Sequence, residues 1–180
     1  MTTIIELNKE RLENFFQYLA RHISENGLNG TDPFIPLTRQ QSELSNELKS
    51  KFENGLEKEF GENGWRRTWL AINEENNIVG HADIRSNNQL NAEHRVVLGM
   101  GVDKNYRRQK IGFNLLVEII NYCKANPKIS WLDLEVISSN TKAKSLYEKI
   151  GFRQVGLTED MFRIDNVSYD YICMTLNMEN

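Results

Sequence analysis

The chain has 180 residues, 39% hydrophobic and 26% charged, with 22 basic against 25 acidic side chains and a net charge of −3. That length reads as one domain over residues 1–180, able to bury a core unaided, and the charge balance argues against nucleic acid bound by bulk electrostatics. Cys123 and Cys173 form no CxxC pair, and no run approaches the roughly 18 apolar residues of a membrane span, so no metal and no membrane partner are expected.

The amino-terminal segment lacks the basic and apolar runs of a signal peptide. With two thiols that look like small apolar residues, this points to a reducing, cytoplasmic setting. Leu12, Phe15, Phe16, Leu19 and Ile23 recur at spacings of three and four and predict a first helix. Pro33 and Pro36 stiffen the connector after it. Thr38 and Gln41 form a capping-box pattern that predicts a second helix, with Leu44, Leu48, Phe52, Leu56 and Phe60 as its stripe and Gly61 as its stop.

From Trp65 the period becomes two. Strands are predicted over Trp69–Ile72, Ile78–Arg85 and about Arg95–Val102, with loops short enough for antiparallel neighbours. A helix from Ile111 to about Lys124 separates the last of these from a strand at Trp131–Ile137, which predicts a right-handed parallel crossover. Thr141–Ile150 reads as a helix closed by Gly151 and Phe152. Strands at about Arg153–Leu157 and Val167–Leu176 are expected to pair across a loop at 158–166. The fold class is α/β, a mixed sheet flanked by about four helices.

The helix at Ile111 opens with Arg107, Arg108 and Lys110 at its start. A helix amino end already carries about half a positive charge, so cations there call for an anion, and free amides beside cations suit phosphate. Neither common nucleotide loop fits. Gly112 is followed by Phe113 and Asn114 instead of Lys-Ser/Thr, and Lys104 takes the third glycine position of a dinucleotide fingerprint. Gly99 and Gly101 inside a strand mark close approach, by a ligand or by a bulky neighbour.

The run Gly99-Met-Gly-Val-Asp-Lys-Asn-Tyr-Arg-Arg-Gln-Lys-Ile-Gly-Phe-Asn-Leu-Leu116, followed by Leu134-Glu-Val-Ile-Ser-Ser-Asn-Thr-Lys-Ala-Lys-Ser-Leu-Tyr-Glu-Lys-Ile-Gly-Phe152, resembles the GCN5-related N-acetyltransferase (GNAT) superfamily. The likeness is strongest from about Ile78 to Phe152. It implies a GNAT-like sheet whose parallel strands 95–102 and 131–137 splay around acetyl-CoA. It also implies direct transfer of acetyl to a primary amine, of a small molecule or a peptide, in a ternary complex. The alternative is an acyl-CoA-binding sensor or regulatory partner without transferase activity. A homodimer through the last strands is compatible with either.

The family's Q/R-x-x-G-x-G/A turn falls on Arg107-Arg108-Gln109-Lys110-Ile111-Gly112, with Lys110 replacing the first glycine. A register starting at Gln109 keeps Gly112 but leaves Asn114 at the last position; the first is preferred because Val102-Asp103 and Leu115-Leu116 then fall where the family places them. The resemblance further implies that Met100, Gly101 and Val102 hold the pantetheine arm and thioester carbonyl, and that Asn140 hydrogen-bonds the cofactor. It makes Tyr147 the acid that protonates the thiolate and Glu135 the base. Without it, Asn140 is equally a helix cap and Tyr147 a core aromatic. His81, Asp83, Glu93 and His94 are reserve candidates, and no thiol mechanism is expected of Cys123 or Cys173.

Overall fold

Period-two patterning from Arg66 onward builds most of one mixed sheet in the computed structural model, which describes residues 2–179. Its described strands are β1 (Thr3–Glu6), β2 (Arg66–Ile72), β3 (Ile78–Ser86), β4 (Arg95–Val102), β5 (Trp131–Ile137), β6 (Arg153–Ile164) and β7 (Val167–Asn177). They lie in the order β1-β2-β3-β4-β5-β7-β6, and only β4 and β5 are parallel neighbours. The helices are α1 (Leu12–Ser24), α2 (Asn46–Glu57), α3 (Ile111–Ala125) and α4 (Thr141–Ile150).

Alternation along the strands sorts the core into two layers. Trp69, Ala82, Val96, Leu132 and Met174 face α3 and α4. Leu70, Ile72 and Ile78 meet Phe15, Phe16 and Leu19 of α1 and Phe52 of α2 on the other side. α3 buries Ile111, Leu115, Leu116, Ile119 and Cys123, and each large apolar side chain removed from water contributes about 1.5–3 kcal/mol. That burial fixes the start of α3 beside the end of β4. α4 ends in a Schellman motif as expected: Gly151 takes φ 111, its N–H donates to Glu148, and the Phe152 N–H donates to Tyr147 at 3.0 Å.

Three elements differ from expectation. β1 is a half-exposed edge strand paired with β2 from Thr3↔Ile72 to Glu6↔Trp69, too short to carry a readable alternation. The capping box at Thr38 exists, with Gln41 N–H on Thr38 Oγ1 and Thr38 N–H on Gln41 Oε1, both 3.2 Å. It closes an isolated turn, however. α2 opens only at Asn46, where Ser45 Oγ accepts from Leu48 N–H at 3.1 Å, so Leu44 precedes the helix and Phe60 follows it.

Tertiary hydrogen bonds explain the delay. The buried Asn26 side chain accepts from the amides of Phe34 and Ile35 and donates to the carbonyls of Ile35 and Leu37 and to Ser42 Oγ. A helix begun at Thr38 would break that set. Lastly, most of the predicted loop 158–166 is strand: β6 continues to Ile164, and a tight turn at Asp165 (φ 49) and Asn166 (φ 66) leads into β7. The register slips between Thr158 and Phe162, so the polar stretch Thr-Glu-Asp passes through an irregular strand.

Candidate active site

β4 and β5 pair only at Arg95↔Trp131, Val96↔Leu132 and Val97↔Asp133. From Leu98 onward β4 pairs with β3 alone, and from Leu134 onward β5 pairs with β7 alone. A gap therefore opens in the middle of the sheet. Asp103 N–H donates to Val79 C=O at 3.0 Å, and hydrogen-bonded pairs alternate along an antiparallel ladder. Gly99 and Gly101 accordingly turn their amides to β3, while Met100 and Val102 turn theirs to the gap. Arg107 Nε donates to the Val102 carbonyl at 3.2 Å, as expected of a carbonyl that β3 does not use.

The gap ends at the turn into α3. Asp103 Oδ1 accepts from Asn105 N–H at 2.9 Å. The chain then passes through Arg108 and Lys110, both left-handed at φ 63. Lys110 thus adopts the backbone that glycine supplies without strain, so the turn keeps its shape despite the lysine. No side chain caps α3, and its first hydrogen bond is Asn114 N–H to Lys110 C=O at 2.9 Å. Among the described residues, the amides from Arg108 to Phe113 meet no protein acceptor, and neither Arg108 nor Lys110 is paired with a carboxylate. A Cβ on Gly112 would lie 3.2 Å from both Met100 Cε and Leu146 Cδ2, so glycine lets the helix start approach β4 and α4 closely.

Tyr147 comes from α4 and is buried against Phe152, ring centroids 5.7 Å apart. Burial, and then Tyr171, push its hydroxyl well above the ordinary phenol range. Glu135 is exposed on the opposite face of β5, paired with Cys173. Burial and the neighbouring Glu135 carboxylate push Tyr171 up to about 12. Tyr171 thus lies near enough to both Tyr147 and Glu135 to affect the one and be affected by the other. The Asn140 side chain caps α4 by accepting from Ala143 N–H at 3.3 Å. Burial pushes the Cys123 thiol up to about 12, which leaves it unreactive.

The glycines of β4 open onto the protein's own side chains on the α1 face. A Cβ on Gly99 would lie 2.7 Å from Asp83 Oδ1, and one on Gly101 would fall on His22 Nε2 and lie 2.9 Å from His81 Cε1. Asp83 pairs with Arg66 at 3.4 Å and Arg85 at 3.6 Å. Tyr18 Oη donates to the Gly101 carbonyl and meets His81 Nδ1, both at 3.2 Å. Burial, reinforced by Arg66, holds His81 down at about 4; burial, then His81 and Arg107, hold His22 at about 3. Glu93 and His94 lie in and beside the loop before β4, away from this cluster. Sequence reasoning missed Tyr18, His22 and Tyr171. The first two were detectable only as polar aromatics one helical turn apart on the buried stripe of α1.

The family model described as "Acetyltransferase (GNAT) family" matches residues 37–152. The chain belongs to the GNAT family. Over 93 residues it is 31% identical to a ribosomal protein bS18-alanine N-acetyltransferase of Haemophilus ducreyi, covering 52% of this chain and 61% of that protein. Over 87 residues it is 31% identical to the N-alpha-acetyltransferase RimI of Mycobacterium tuberculosis, covering 48% and 52%. The match therefore spans less than two thirds of either relative.

Among solved structures, a GNAT-family acetyltransferase from Streptococcus pneumoniae superposes with a TM-score of 0.80 at 24% identity, covering 98% of this chain and 99% of that one. A phosphinothricin acetyltransferase from Sinorhizobium meliloti, determined in complex with AcCoA, gives 0.77 at 17% identity over 98% and 88%. Both likenesses concern the fold. The segment matched to the GNAT family holds β4, the turn into α3, β5 and α4, whereas Tyr18, His22 and Tyr171 lie outside it.

Proposed function

We propose that this GNAT-family chain is an N-acetyltransferase that moves an acetyl group from acetyl-CoA to a primary amine by direct attack in a ternary complex. One observation carries the reading: β4 and β5 part after Val97 and Asp133, beside a helix start that is uncapped and flanked by unpaired cations. The residues there fit the cofactor. Met100 offers a strand-like amide and carbonyl, and Val102 its amide, to a pantetheine arm, and Gly101 keeps that strand thin. Arg107, Arg108, Gln109, Lys110, Ile111 and Gly112 offer amides and charge to a pyrophosphate. Asn140, the cap residue between β5 and α4, is a further hydrogen-bonding group for the cofactor on the strength of the family resemblance. Bound acetyl-CoA supplies the acyl group as a thioester.

The chain's own groups answer the remaining demands. Amides at Met100 and Val102, fixed before reaction, polarise the carbonyl that lies against them. Tyr147 stays protonated at neutral pH and can donate to the departing sulfur. Glu135, across the gap, receives the proton that the amine gives up. Two relatives are named for acetylating an alanine or an α-amine, so peptides beginning with alanine belong in the test beside small amines.

The experiment is a titration with acetyl-CoA followed by an amine screen that reads free CoA and the mass of the product. A saturable rise in melting temperature is expected, because a ligand that binds only the folded state stabilises it. No rise at millimolar cofactor would sink the reading. Tyr147→Phe should slow turnover by roughly 100-fold, the scale of a lost general acid, with acetyl-CoA affinity retained; an unchanged rate removes Tyr147 from that role.

A further inference from the structure

A guanidinium offers five N–H donors in one plane. Among the described residues the Arg85 side chain, 37% exposed, makes no hydrogen bond. Its ion pair is with Asp83, a terminal nitrogen 3.6 Å from Oδ2, the same oxygen that Arg66 Nε approaches at 3.4 Å. That oxygen is sealed from solvent and has no hydrogen-bond partner. Arg66 is buried, its guanidinium carbon 4.2 Å from the Phe52 ring centroid. Arg66 and Asp83 therefore already neutralise each other. Arg85 is a surplus cation that opposes the charge of Arg66.

Gly99 makes room for it. A Cβ there would lie 2.7 Å from Asp83 Oδ1 and 3.2 Å from the Arg85 terminal nitrogen, so the guanidinium leans from β3 over β4. Gly99 is two residues past Val97, the last β4 residue paired with β5, and Glu135 is two past its partner Asp133. Side chains alternate between faces, so Arg85, Gly99 and Glu135 share the face on which Arg95 meets Asp133. Arg85 and Glu135 thus stand on opposite lips of the gap. Tyr171 feels both, Glu135 raising its hydroxyl and Arg85 lowering it. Among the described residues, Glu135 has no cation within ion-pair distance.

We propose that Arg85 takes the carboxylate of the acceptor and Glu135 its amine, so that the acceptor is a free amino acid lying across the gap. The inference rests on the transferase reading of the gap and names its substrate class. A planar fork matches a carboxylate through two parallel hydrogen bonds. The surplus at Arg66, Asp83 and Arg85 is a single positive charge, which suits a monoanion. A cation on one lip and a carboxylate on the other fit a zwitterion whose charges lie a few bonds apart. A plain amine would leave Arg85 unanswered. Asp83, behind the guanidinium, is its positioning residue and leaves the remaining N–H groups to the gap.

The experiment is an acetyl-transfer assay on the whole chain, reading free CoA, with amino acids and their carboxamides in matched pairs. For the best pair, kcat/KM should favour the acid by roughly tenfold or more, the scale of one charge-assisted interaction. Arg85→Met keeps the reach of the side chain without its charge. It should bring the two members within roughly threefold of each other by raising KM for the acid alone. Arg85→Lys keeps a cation beside Asp83, which protects the fold, and should hold only part of the preference because it lacks the fork. Both variants should keep the acetyl-CoA-induced rise in melting temperature. A panel in which no acid outruns its amide, or a preference that either variant leaves unchanged, would overturn the proposal. So would a preference confined to peptides, alanyl-aspartate over alanyl-asparagine, since the carboxylate would then belong to a peptide side chain. Absence of the acetyl-CoA rise in the parent would instead overturn the transferase reading on which it rests.

Discussion

Arg95 grips Asp133 through two charge-assisted hydrogen bonds, Nε to Oδ2 at 2.7 Å and the terminal nitrogen to Oδ1 at 2.5 Å. The pair sits where β4 and β5 are still joined, and Thr175 Oγ1 donates to the same Asp133 oxygen at 2.6 Å. This clamp holds the closed end of a sheet whose other end is open. Arg95→Leu should destabilise the chain by about 1.5–3 kcal/mol, read from the midpoint of urea unfolding. A change below a few tenths would mean that the backbone pairing alone keeps the strands together.

The two glycines near the gap should respond differently to one added methyl group. Gly101→Ala drives a Cβ into the His22 ring, which α1 and Phe34 prevent from moving, so a loss of about 2–3 kcal/mol is expected. Gly112→Ala meets the ends of Met100 and Leu146 at 3.2 Å, flexible tips that can give, so a loss below about 1 kcal/mol is expected. Thermal and chemical unfolding of both variants check the order.

Lys110 occupies a left-handed backbone at φ 63. Relief of that strain in Lys110→Gly exceeds the extra freedom glycine gives the unfolded chain, for a net gain of about 0.5 kcal/mol. The same change removes one cation from the helix start. Acetyl-CoA binding should therefore become weaker and less sensitive to salt, as a titration at two ionic strengths would read.

His22 and His81 make the fold labile to acid. Both are held below the ordinary value of 6.5, at about 3 and about 4. Above pH 6.5 neither folded nor unfolded chain binds a proton at these rings. Below it the unfolded chain takes them up and the folded chain does not, so stability falls as pH drops toward 4. The slope approaches about 1.4 kcal/mol per pH unit for each histidine. Unfolding free energies between pH 7 and pH 4 should show it, and His22→Phe should remove the share due to His22. A flat profile would place both rings in contact with water.

The half of the site built from local sequence was legible. β4, β5 and α4 lie where their patterns put them, and the cations at 107–110 stand before α3, because strand alternation, helix stripes and caps are decided within a few residues. What escaped was decided across the chain. Tyr18 reaches the Gly101 carbonyl from far away in sequence, and nothing near either residue announces the other. The true start of α2 was set by Asn26 and Ser42 against the local signal at Thr38. In β6 the polar residues from Thr158 to Asp160 look like a loop because their strand is an exposed edge with a slipped register, so no apolar alternation was needed to place them.

Asn26 has one more implication. The segment from Phe34 to Ser42 has almost no regular structure, and one carboxamide makes two acceptor and three donor contacts along it. Aspartate would forfeit the donors and leucine everything. The ring of Phe34, which covers His22, therefore takes its place from a side chain eight residues upstream, so a change of one amide at Asn26 should be felt at a histidine that it does not touch.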